Sequence, residues 1–193
     1  MKNKQLWLLA GGNGAGKSTF YNIRLKPLGL PFVNADLLAK QLYPEQPETH
    51  SYDAAKIAEK IRMTLLAEGR SFCFETVFSH PSKIDFIAQA KAMEYEVILV
   101  FIHLNTVSLN QARVAQRVSE GGHNVPENKV STRIPRVLQN IKKALPLCDT
   151  CYFLDNSKLD NPFQQIAQIQ NGQLLYKIEQ VPEWAKIMLD GYL

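Results

Sequence analysis

The chain has 193 residues, of which 46% are hydrophobic and 21% charged, and its formal net charge is +4. This length and hydrophobic content predict one globular domain over residues 1–193 and leave no room for a second large domain. The mild positive charge is compatible with an anionic ligand such as a nucleotide, but it differs from the dense basic patch of a nucleic-acid-binding protein.

The apolar runs of the sequence are short. None approaches the ~18 residues that a membrane span requires, and the first residues do not resemble a secretory signal, so we expect a cytoplasmic protein without membrane contact. The three cysteines, Cys73, Cys148 and Cys151, fit a reducing compartment. Because no second cysteine pair or histidine cluster accompanies Cys148 and Cys151, burial is favoured over a zinc or redox site.

Apolar runs alternate with helical patterns along the chain, which is typical of an α/β fold with a parallel sheet. Strands are predicted over residues 5–10, 30–35, 71–75, 97–104 and 151–154. Helices are predicted over residues 17–26, 52–67, 82–94, 108–118, 127–145 and 183–189, with a kink at Pro135. Asn171-Gly172 predicts a small C-terminal hairpin of residues 164–170 and 173–178. The prediction is a five-stranded parallel sheet with helices on both faces and ligands at its carboxyl edge.

Residues 11–18, GGNGAGKS, match the phosphate-binding loop pattern G-x-x-x-x-G-K-[ST], and they lie between a predicted strand and a predicted helix. Backbone N–H groups of such a loop surround the phosphates of a nucleoside triphosphate, either ATP or GTP. Lys17 is expected to reach the β- and γ-phosphates, and the Ser18 hydroxyl to bind Mg²⁺. The predicted nucleotide-binding residues are Gly11, Gly12, Asn13, Gly14, Ala15, Gly16, Lys17, Ser18 and Thr19.

Polar residues end two of the predicted strands next to this loop. Asp36 is the candidate general base for an attacking hydroxyl, and its alternative role is the N-cap of a helix that begins at Leu37. Glu75 either holds a water on Mg²⁺ or binds the acceptor, unless it is merely a solvated strand end. Thr76 follows Glu75 at the same edge and is a further candidate for acceptor binding.

A basic segment, residues 113–136, is predicted to form a mobile lid of two helices and a connecting loop. Arg117 precedes the flexible Gly121-Gly122, whereas Arg133 and Arg136 follow it. Arg117 and at least one of Arg133 and Arg136 are predicted to stabilise a transferring phosphoryl group, the alternative being a solvated basic helix face. His123, in the loop, either contacts the acceptor or faces solvent.

Four runs, GGNGAGKST, VNAD, FETVFS and RVSEGGHNVPENKVSTRIPR, resemble the short, single-domain branch of the zeta toxin family of phosphate-loop kinases. The resemblance covers about residues 7–156. It implies a kinase fold with an arginine-bearing lid, ATP as the nucleotide, the 3′-hydroxyl of UDP-N-acetylglucosamine as acceptor, and an antitoxin partner. Lys17 matches the family's loop lysine and Asp36 its catalytic base. Glu75 matches an acidic residue on the acceptor side, while Arg117 and either Arg133 or Arg136 match the lid arginines.

Three functions are consistent with the sequence. The first is an ATP- and Mg²⁺-dependent kinase for a hydroxyl of a small acceptor, with a UDP-amino sugar as the best candidate or another small metabolite in its place. The second is a nucleotide-binding regulator with slow ATPase activity and a lid that acts as a switch. The third, a kinase for nucleic-acid ends, is disfavoured because the sequence lacks aromatic residues interleaved with a basic groove.

Overall fold

The computed structural model describes residues 4–119 and 127–193, and for residues 127–130 it describes the backbone alone. The strands are β1 (Gln5–Ala10), β2 (Phe32–Val33), β3 (Phe72–Thr76), β4 (Glu96–His103), β5 (Thr150–Asp155), β6 (Gln164–Gln170) and β7 (Gln173–Lys177). All seven belong to one sheet in the order β2-β3-β1-β4-β5-β6-β7. The first five strands pair in parallel. The predicted parallel core is therefore confirmed.

The C-terminal hairpin is confirmed at the predicted turn, where Asn171 and Gly172 both have positive φ, at 49° and 74°. The hairpin is not separate from the core. β6 pairs antiparallel with β5, from Thr150 opposite Gln170 to Asp155 opposite Gln164, so the hairpin extends the sheet to seven strands.

The helices are α1 (Lys17–Phe20), α2 (Ala35–Leu42), α3 (Ser51–Ala67), α4 (Ser82–Ala92), α5 (Val107–Ser119), α6 (Glu127–Ala144) and α7 (Glu183–Leu189). Pro135 lies inside α6, which continues past it. None of the helices within residues 4–119 and 127–193 is long and apolar enough to cross a membrane.

Apolar side chains cover both faces of the sheet. On one face, buried residues of α3, α4, α6 and α7 pack with Leu6, Leu8 and other strand residues. On the other face, Leu9 and Val100 pack with the loop and the segment after β1, including Ala15 and Leu25. Burial on both faces explains why β4 is a continuous apolar run.

Two predicted elements are shorter in the structure than their sequence patterns indicated. β2 ends at Val33 because the Asn34 side chain accepts hydrogen bonds from the N–H groups of Asp36 and Leu37, at 2.8 and 3.1 Å, and so begins α2 at Ala35. The helix after the loop is α-helical only to Phe20 and continues as a π-helical segment, Tyr21–Leu25, and a 3₁₀ turn, Lys26–Leu28.

The cysteines are buried, as predicted. Cys73, Cys148 and Cys151 form no disulfide, and the Cys148 thiol donates to the carbonyl of Ala144 at 3.3 Å. Among the residues that the structure describes, no group of three or more His, Cys, Asp or Glu side chains is placed to hold a metal. Cys148 and Cys151 both belong to the apolar core on one face of the sheet.

Low pH is expected to destabilise the fold through His103, the last residue of β4, whose ring packs 4.7 Å from that of Trp184. Burial lowers the pKa of His103 to about 4, although attraction to Asp155 opposes the shift. Between pH 6.5 and pH 4 the unfolded chain binds this proton and the folded chain does not, so stability falls as pH falls. We expect a loss of about 2–3 kcal/mol at pH 4.5 relative to pH 7.5 from this residue.

Urea denaturation of the wild type and of His103→Gln at both pH values measures this contribution. On acidification from pH 7.5 to pH 4.5, the wild type should lose about 2–3 kcal/mol more stability than His103→Gln. Equal losses would mean that His103 takes up its proton in the folded state as readily as in the unfolded chain.

Candidate active site

The phosphate-binding loop, residues 11–16, connects β1 to α1 and is held by two asparagines from distant parts of the chain. Asn110 of α5 donates from Nδ2 to the carbonyl of Asn13 at 2.7 Å. Asn156, directly after β5, donates from Nδ2 to the carbonyl of Ala15 at 2.9 Å and accepts from the N–H of Phe163 at 3.2 Å. These bonds to buried asparagines fix the path of the loop backbone.

Sequence reasoning did not find this anchoring role. Asn156 has one usable signal, since it is a polar residue directly after a predicted strand, but that position does not reveal its contact with the loop. Asn110 lies inside a helix and carries no local signal, because its contact is with a loop 97 residues away.

The first glycine of the loop is required by the close approach of β4. Gly11 has φ 151°, and a Cβ there would overlap the carbonyl oxygen of Ile102. We expect Gly11→Ala to lower the free energy of unfolding by about 3 kcal/mol or more, because both the strained φ and the overlap with backbone must be relieved.

Gly29 provides a matched control for this substitution. It also has positive φ, at 70°, but no atom lies within 4 Å of the position that a Cβ would occupy. Gly29→Ala should therefore cost only the left-handed strain, about 1–2 kcal/mol. Urea denaturation of both variants tests the difference, and equal losses would show that contact with Ile102 is not what restricts residue 11.

Lys17, the first residue of α1, is buried with 5% of its surface exposed. Its ammonium donates to the carbonyls of Gly11 and Gly12 at 3.0 and 2.9 Å, and it lies 3.6 Å from the Glu75 carboxylate. Burial lowers the pKa of Lys17, and the nearby carboxylates of Glu75 and Asp36 oppose that shift. The backbone of the loop thus holds the Lys17 ammonium in a buried position next to the Glu75 carboxylate.

Glu75 is the centre of a small polar cluster at the carboxyl end of β3. Its Oε2 accepts from the Ser18 hydroxyl at 2.5 Å and from Asn34 Nδ2 at 2.8 Å. The sequence left open whether Glu75 lies beside the metal or the acceptor, and these contacts place its carboxylate against the Ser18 hydroxyl and the Lys17 ammonium.

The same cluster fits a hard divalent cation. A hydroxyl and a carboxylate oxygen are ligands that Mg²⁺ accepts, and in kinases this ion usually takes one or two protein ligands with phosphate oxygens and waters completing its shell. Ser18 and Glu75 supply such a partial shell.

Asp36 lies in the first turn of α2, and Asn34 caps this helix instead. The alternative interpretation of Asp36 as the N-cap is therefore wrong. The reason is geometric: Asn34 is the last extended residue, with ψ 119°, so its side chain reaches the free N–H groups of the turn. Asp36 is exposed and lines a cleft.

Two adjoining clefts open at this edge of the sheet. The carboxylate cleft, of about 300 Å³, includes Asn13, Asp36, Thr76 and Arg133 in its lining. The loop cleft, of about 320 Å³, includes Gly14, Gly16, Ser18, Thr19, Arg113 and Asn156. Lys17, Glu75 and Arg117 line both clefts, so these three residues form the junction between them.

The two candidates for the second arginine lie in different places in the structure. Arg133, on α6, lines the carboxylate cleft, whereas Arg136 is exposed and lines neither cleft. Arg133 and Arg136 are three residues apart, which places them on adjacent but different parts of the helix surface. Arg117 lies on the other helix of the pair, α5, at the junction of the two clefts.

The remaining predicted residues fall in three places. Thr76 lines the carboxylate cleft, and its hydroxyl accepts from the N–H of Phe78 at 3.0 Å. Thr19 lines the loop cleft beside Ser18. His123 lies outside the described residues, as does most of the loop predicted to connect the lid helices.

A comparison with known protein families agrees with this geometry. The family model described as Zeta toxin matches residues 1–158. The chain belongs to the zeta toxin family. The resemblance inferred from the four sequence runs is thereby confirmed, and the matched region contains the loop, Asp36, Glu75, Arg117, Arg133 and Arg136.

Relatives of this zeta toxin family member include a Haemophilus influenzae protein of uncharacterized function. It is 30% identical over 140 residues, which cover 69% of this chain and 99% of the relative. A chain of the AvrRxo1-ORF1:ORF2 complex crystallised with ATP has a TM-score of 0.75 at 20% identity, over 96% of this chain and 64% of its own length. This chain thus spans just under two thirds of that structural neighbour.

A chain of the PezAT toxin-antitoxin system of Streptococcus pneumoniae has a TM-score of 0.64 at 16% identity, over 98% of this chain and 78% of its own. A putative kinase of Chloroflexus aurantiacus has a TM-score of 0.63 at 15% identity, over 82% and 91% of the two chains. At these identities the similarity establishes the fold, which is that of phosphate-loop kinases.

Proposed function

We propose that this zeta toxin family member is an ATP- and Mg²⁺-dependent kinase that phosphorylates a hydroxyl of a small acceptor. The observation that carries the proposal is the junction of the two clefts. Lys17, Glu75 and Arg117 line both clefts. A phosphoryl group bound between these three residues would contact the phosphate-binding loop on one side and the carboxylate cleft, which contains Asp36, on the other. Transfer requires that the donor and the acceptor be held next to each other, as two adjoining clefts would hold them.

The donor side is the loop cleft. Backbone N–H groups of the loop and the ammonium of Lys17 would bind the β- and γ-phosphates, and Ser18 with Glu75 would hold Mg²⁺. When bound, the ion neutralises charge on the phosphate oxygens. Arg117 and Arg133 would add positive charge at the transferring group, where negative charge is spread over the equatorial oxygens.

The acceptor side is the carboxylate cleft. The acceptor oxygen would bond to the γ-phosphorus while the bond from that phosphorus to the β–γ bridging oxygen breaks, and Asp36 would accept the hydroxyl proton. Asp36 suits this role because it is exposed in the cleft and free of the capping bonds that Asn34 makes. Thr76 and Glu75, at the end of β3, line the same cleft and would position the acceptor.

Family membership supports two finer proposals. One is that the acceptor is UDP-N-acetylglucosamine, phosphorylated on its 3′-hydroxyl. The other is that an antitoxin protein binds this chain, since two of the structural neighbours come from complexes named AvrRxo1-ORF1:ORF2 and PezAT toxin-antitoxin. Both go beyond what the fold establishes.

Mass spectrometry tests the proposed activity. Purified protein would be incubated with Mg·ATP and a pool of UDP-sugars, nucleosides, nucleotides and simple sugars, and each member examined for the mass of one added phosphate. Phosphorylated UDP-N-acetylglucosamine would support both the chemistry and the acceptor. A different phosphorylated member would retain the kinase and replace the acceptor. ATP binding with slow conversion to ADP and no phosphorylated member would favour a nucleotide-binding regulator instead.

A further inference from the structure

The loop between β3 and α4, residues 77–81, contains a strained residue at the wall of the carboxylate cleft. Val77, Ser79 and His80 of this loop line the cleft. Phe78, between them, is buried with 1% of its surface exposed, and its φ is 64°. This left-handed conformation is unfavourable for a bulky residue. It persists only where the surrounding contacts enforce it, and such residues are concentrated at functional sites.

Two side chains bind the backbone of Phe78 in this conformation. Its N–H donates to the hydroxyl of Thr76 at 3.0 Å, which is a local contact between residues two positions apart. Its carbonyl accepts from Nδ2 of Asn140 at 3.0 Å, across 62 positions of the sequence. Asn140 belongs to α6 and is buried, with 8% of its surface exposed. The orientation of the Phe78 carbonyl is therefore stabilised by a buried donor from a distant helix.

The helix α6 presents Asn140 and Arg133 on one face. The two residues are seven positions apart, or about two helical turns, so their side chains lie on the same side of α6. Arg133 lines the carboxylate cleft, and Val137, between the two, is buried in the core. Asn140 thus connects the helix that carries Arg133 to the loop that forms part of the cleft wall.

Asn140 does not line the cleft itself, so any effect on a bound molecule has to pass through Phe78. Loss of the Asn140 amide would leave the Phe78 carbonyl buried without this donor, which is unfavourable. Rotation of Phe78 to a negative φ would relieve both this loss and the left-handed strain. The same rotation would displace Ser79 and His80, which follow Phe78 in the cleft wall.

We propose that Asn140 is a positioning residue for the acceptor. Its amide keeps Phe78 in the left-handed conformation and so holds the loop of residues 77–81 in the shape that receives the acceptor. The proposal rests on the proposed function, because it assigns this loop to the acceptor side of the kinase.

The first test needs no acceptor. Crystal structures of the wild type and of Asn140→Ala would give the φ of Phe78 in each protein. We expect the wild type to keep the left-handed φ, and Asn140→Ala to show a negative φ with displaced Ser79 and His80. Asn140→Val, which leaves a smaller cavity than alanine, carries the test if Asn140→Ala does not fold. A variant in which Phe78 stays left-handed would overturn the proposal.

The second test uses the acceptor found by mass spectrometry. Asn140→Ala should raise the KM for that acceptor about tenfold, because the loop conformation that binds it becomes a minor state. Saturating acceptor selects that conformation again, so kcat and the KM for ATP should stay within about twofold of the wild-type values. An unchanged KM for the acceptor, or equal rises in the KM for the acceptor and for ATP, would contradict the positioning role.

Tyr95→Phe is the matched control for lost stability. The Tyr95 hydroxyl is buried and lies 3.1, 3.2 and 3.0 Å from the carbonyl oxygens of Leu65, Leu66 and Arg70. Tyr95 directly precedes β4, at the edge of the sheet opposite the clefts. Tyr95→Phe also removes a buried bond from a side chain to a carbonyl, so it should lower the melting temperature and leave the KM for the acceptor unchanged.

The outcomes separate the role of Asn140 from the kinase activity. A tenfold rise in the KM for the acceptor in both Tyr95→Phe and Asn140→Ala would mean that lost stability is the cause, and the positioning role would fail. If no acceptor is phosphorylated but Phe78 takes a negative φ in Asn140→Ala, the kinase assignment fails and the control of the loop by Asn140 stands.

Discussion

Replacing Lys17 with alanine is expected to reduce kcat/KM for phosphoryl transfer at least about 100-fold, the loss typical when one charge-stabilising donor is removed from a transition state. The ammonium of Lys17 lies between the carbonyls of Gly11 and Gly12 and the carboxylate of Glu75, at the junction of the two clefts. Removing it leaves the β- and γ-phosphates without this charge. Steady-state kinetics with varied ATP measures the loss.

The control for this variant is Lys26→Ala, which removes an exposed lysine from the 3₁₀ turn after the loop. Lys26→Ala changes the net charge by the same amount as Lys17→Ala. It should leave kcat/KM within about twofold of the wild-type value, because salt in the solvent screens the effect of a distant surface charge. A Lys17→Ala enzyme that retains wild-type kcat/KM, with an unchanged melting temperature, would show that Lys17 has no role in transfer.

Asp36→Asn should separate nucleotide binding from chemistry. The variant keeps the size of the side chain and leaves the bonds from Asn34 to α2 in place, because these bonds use the backbone N–H groups of Asp36 and Leu37. We expect kcat for transfer to fall about 10²- to 10⁴-fold, the usual contribution of a general base, with ATP affinity unchanged. Single-turnover kinetics and a nucleotide titration measure the two quantities.

Asp85→Asn is the matched control, since Asp85 also occupies the first turn of a helix, α4, and lies outside the carboxylate cleft. Both changes remove one favourable interaction with a helix dipole, worth about 0.3–1 kcal/mol of stability. Only Asp36→Asn should lose transfer. Wild-type kcat in Asp36→Asn would disprove the base assignment, and equal loss in both variants would point to stability instead.

Asp36 also illustrates the limit of sequence reasoning at the site. Asp36 was the only N-cap that we predicted, although Asn34 is also of a residue type that caps helices well. The backbone decided between them, because Asn34 is still extended while Asp36 is already inside the first turn. That choice frees the Asp36 carboxylate for the cleft.

Long-range packing determined the parts of the site that the sequence did not predict. Arg62 is one polar residue in a helix with ordinary spacing, and only the packing of α3 against β3 and α4 reveals that its guanidinium is buried over the rings of Phe74 and Phe86. Likewise, Arg133 and Arg136 are equivalent in sequence, and the orientation of α6 places only Arg133 in the carboxylate cleft.

The sequence by itself determined the phosphate-binding loop, the parallel α/β core, the hairpin turn and the family, because each depends on residues close together in the chain. Glycine spacing, a continuous apolar strand and an Asn-Gly turn are local signals. Only the tertiary structure decided that the hairpin joins the sheet, that Asn110 and Asn156 hold the loop, and that Arg133 rather than Arg136 lines the carboxylate cleft. Those features depend on contacts between residues far apart in sequence, and such contacts exist only once the sheet and its helices have packed.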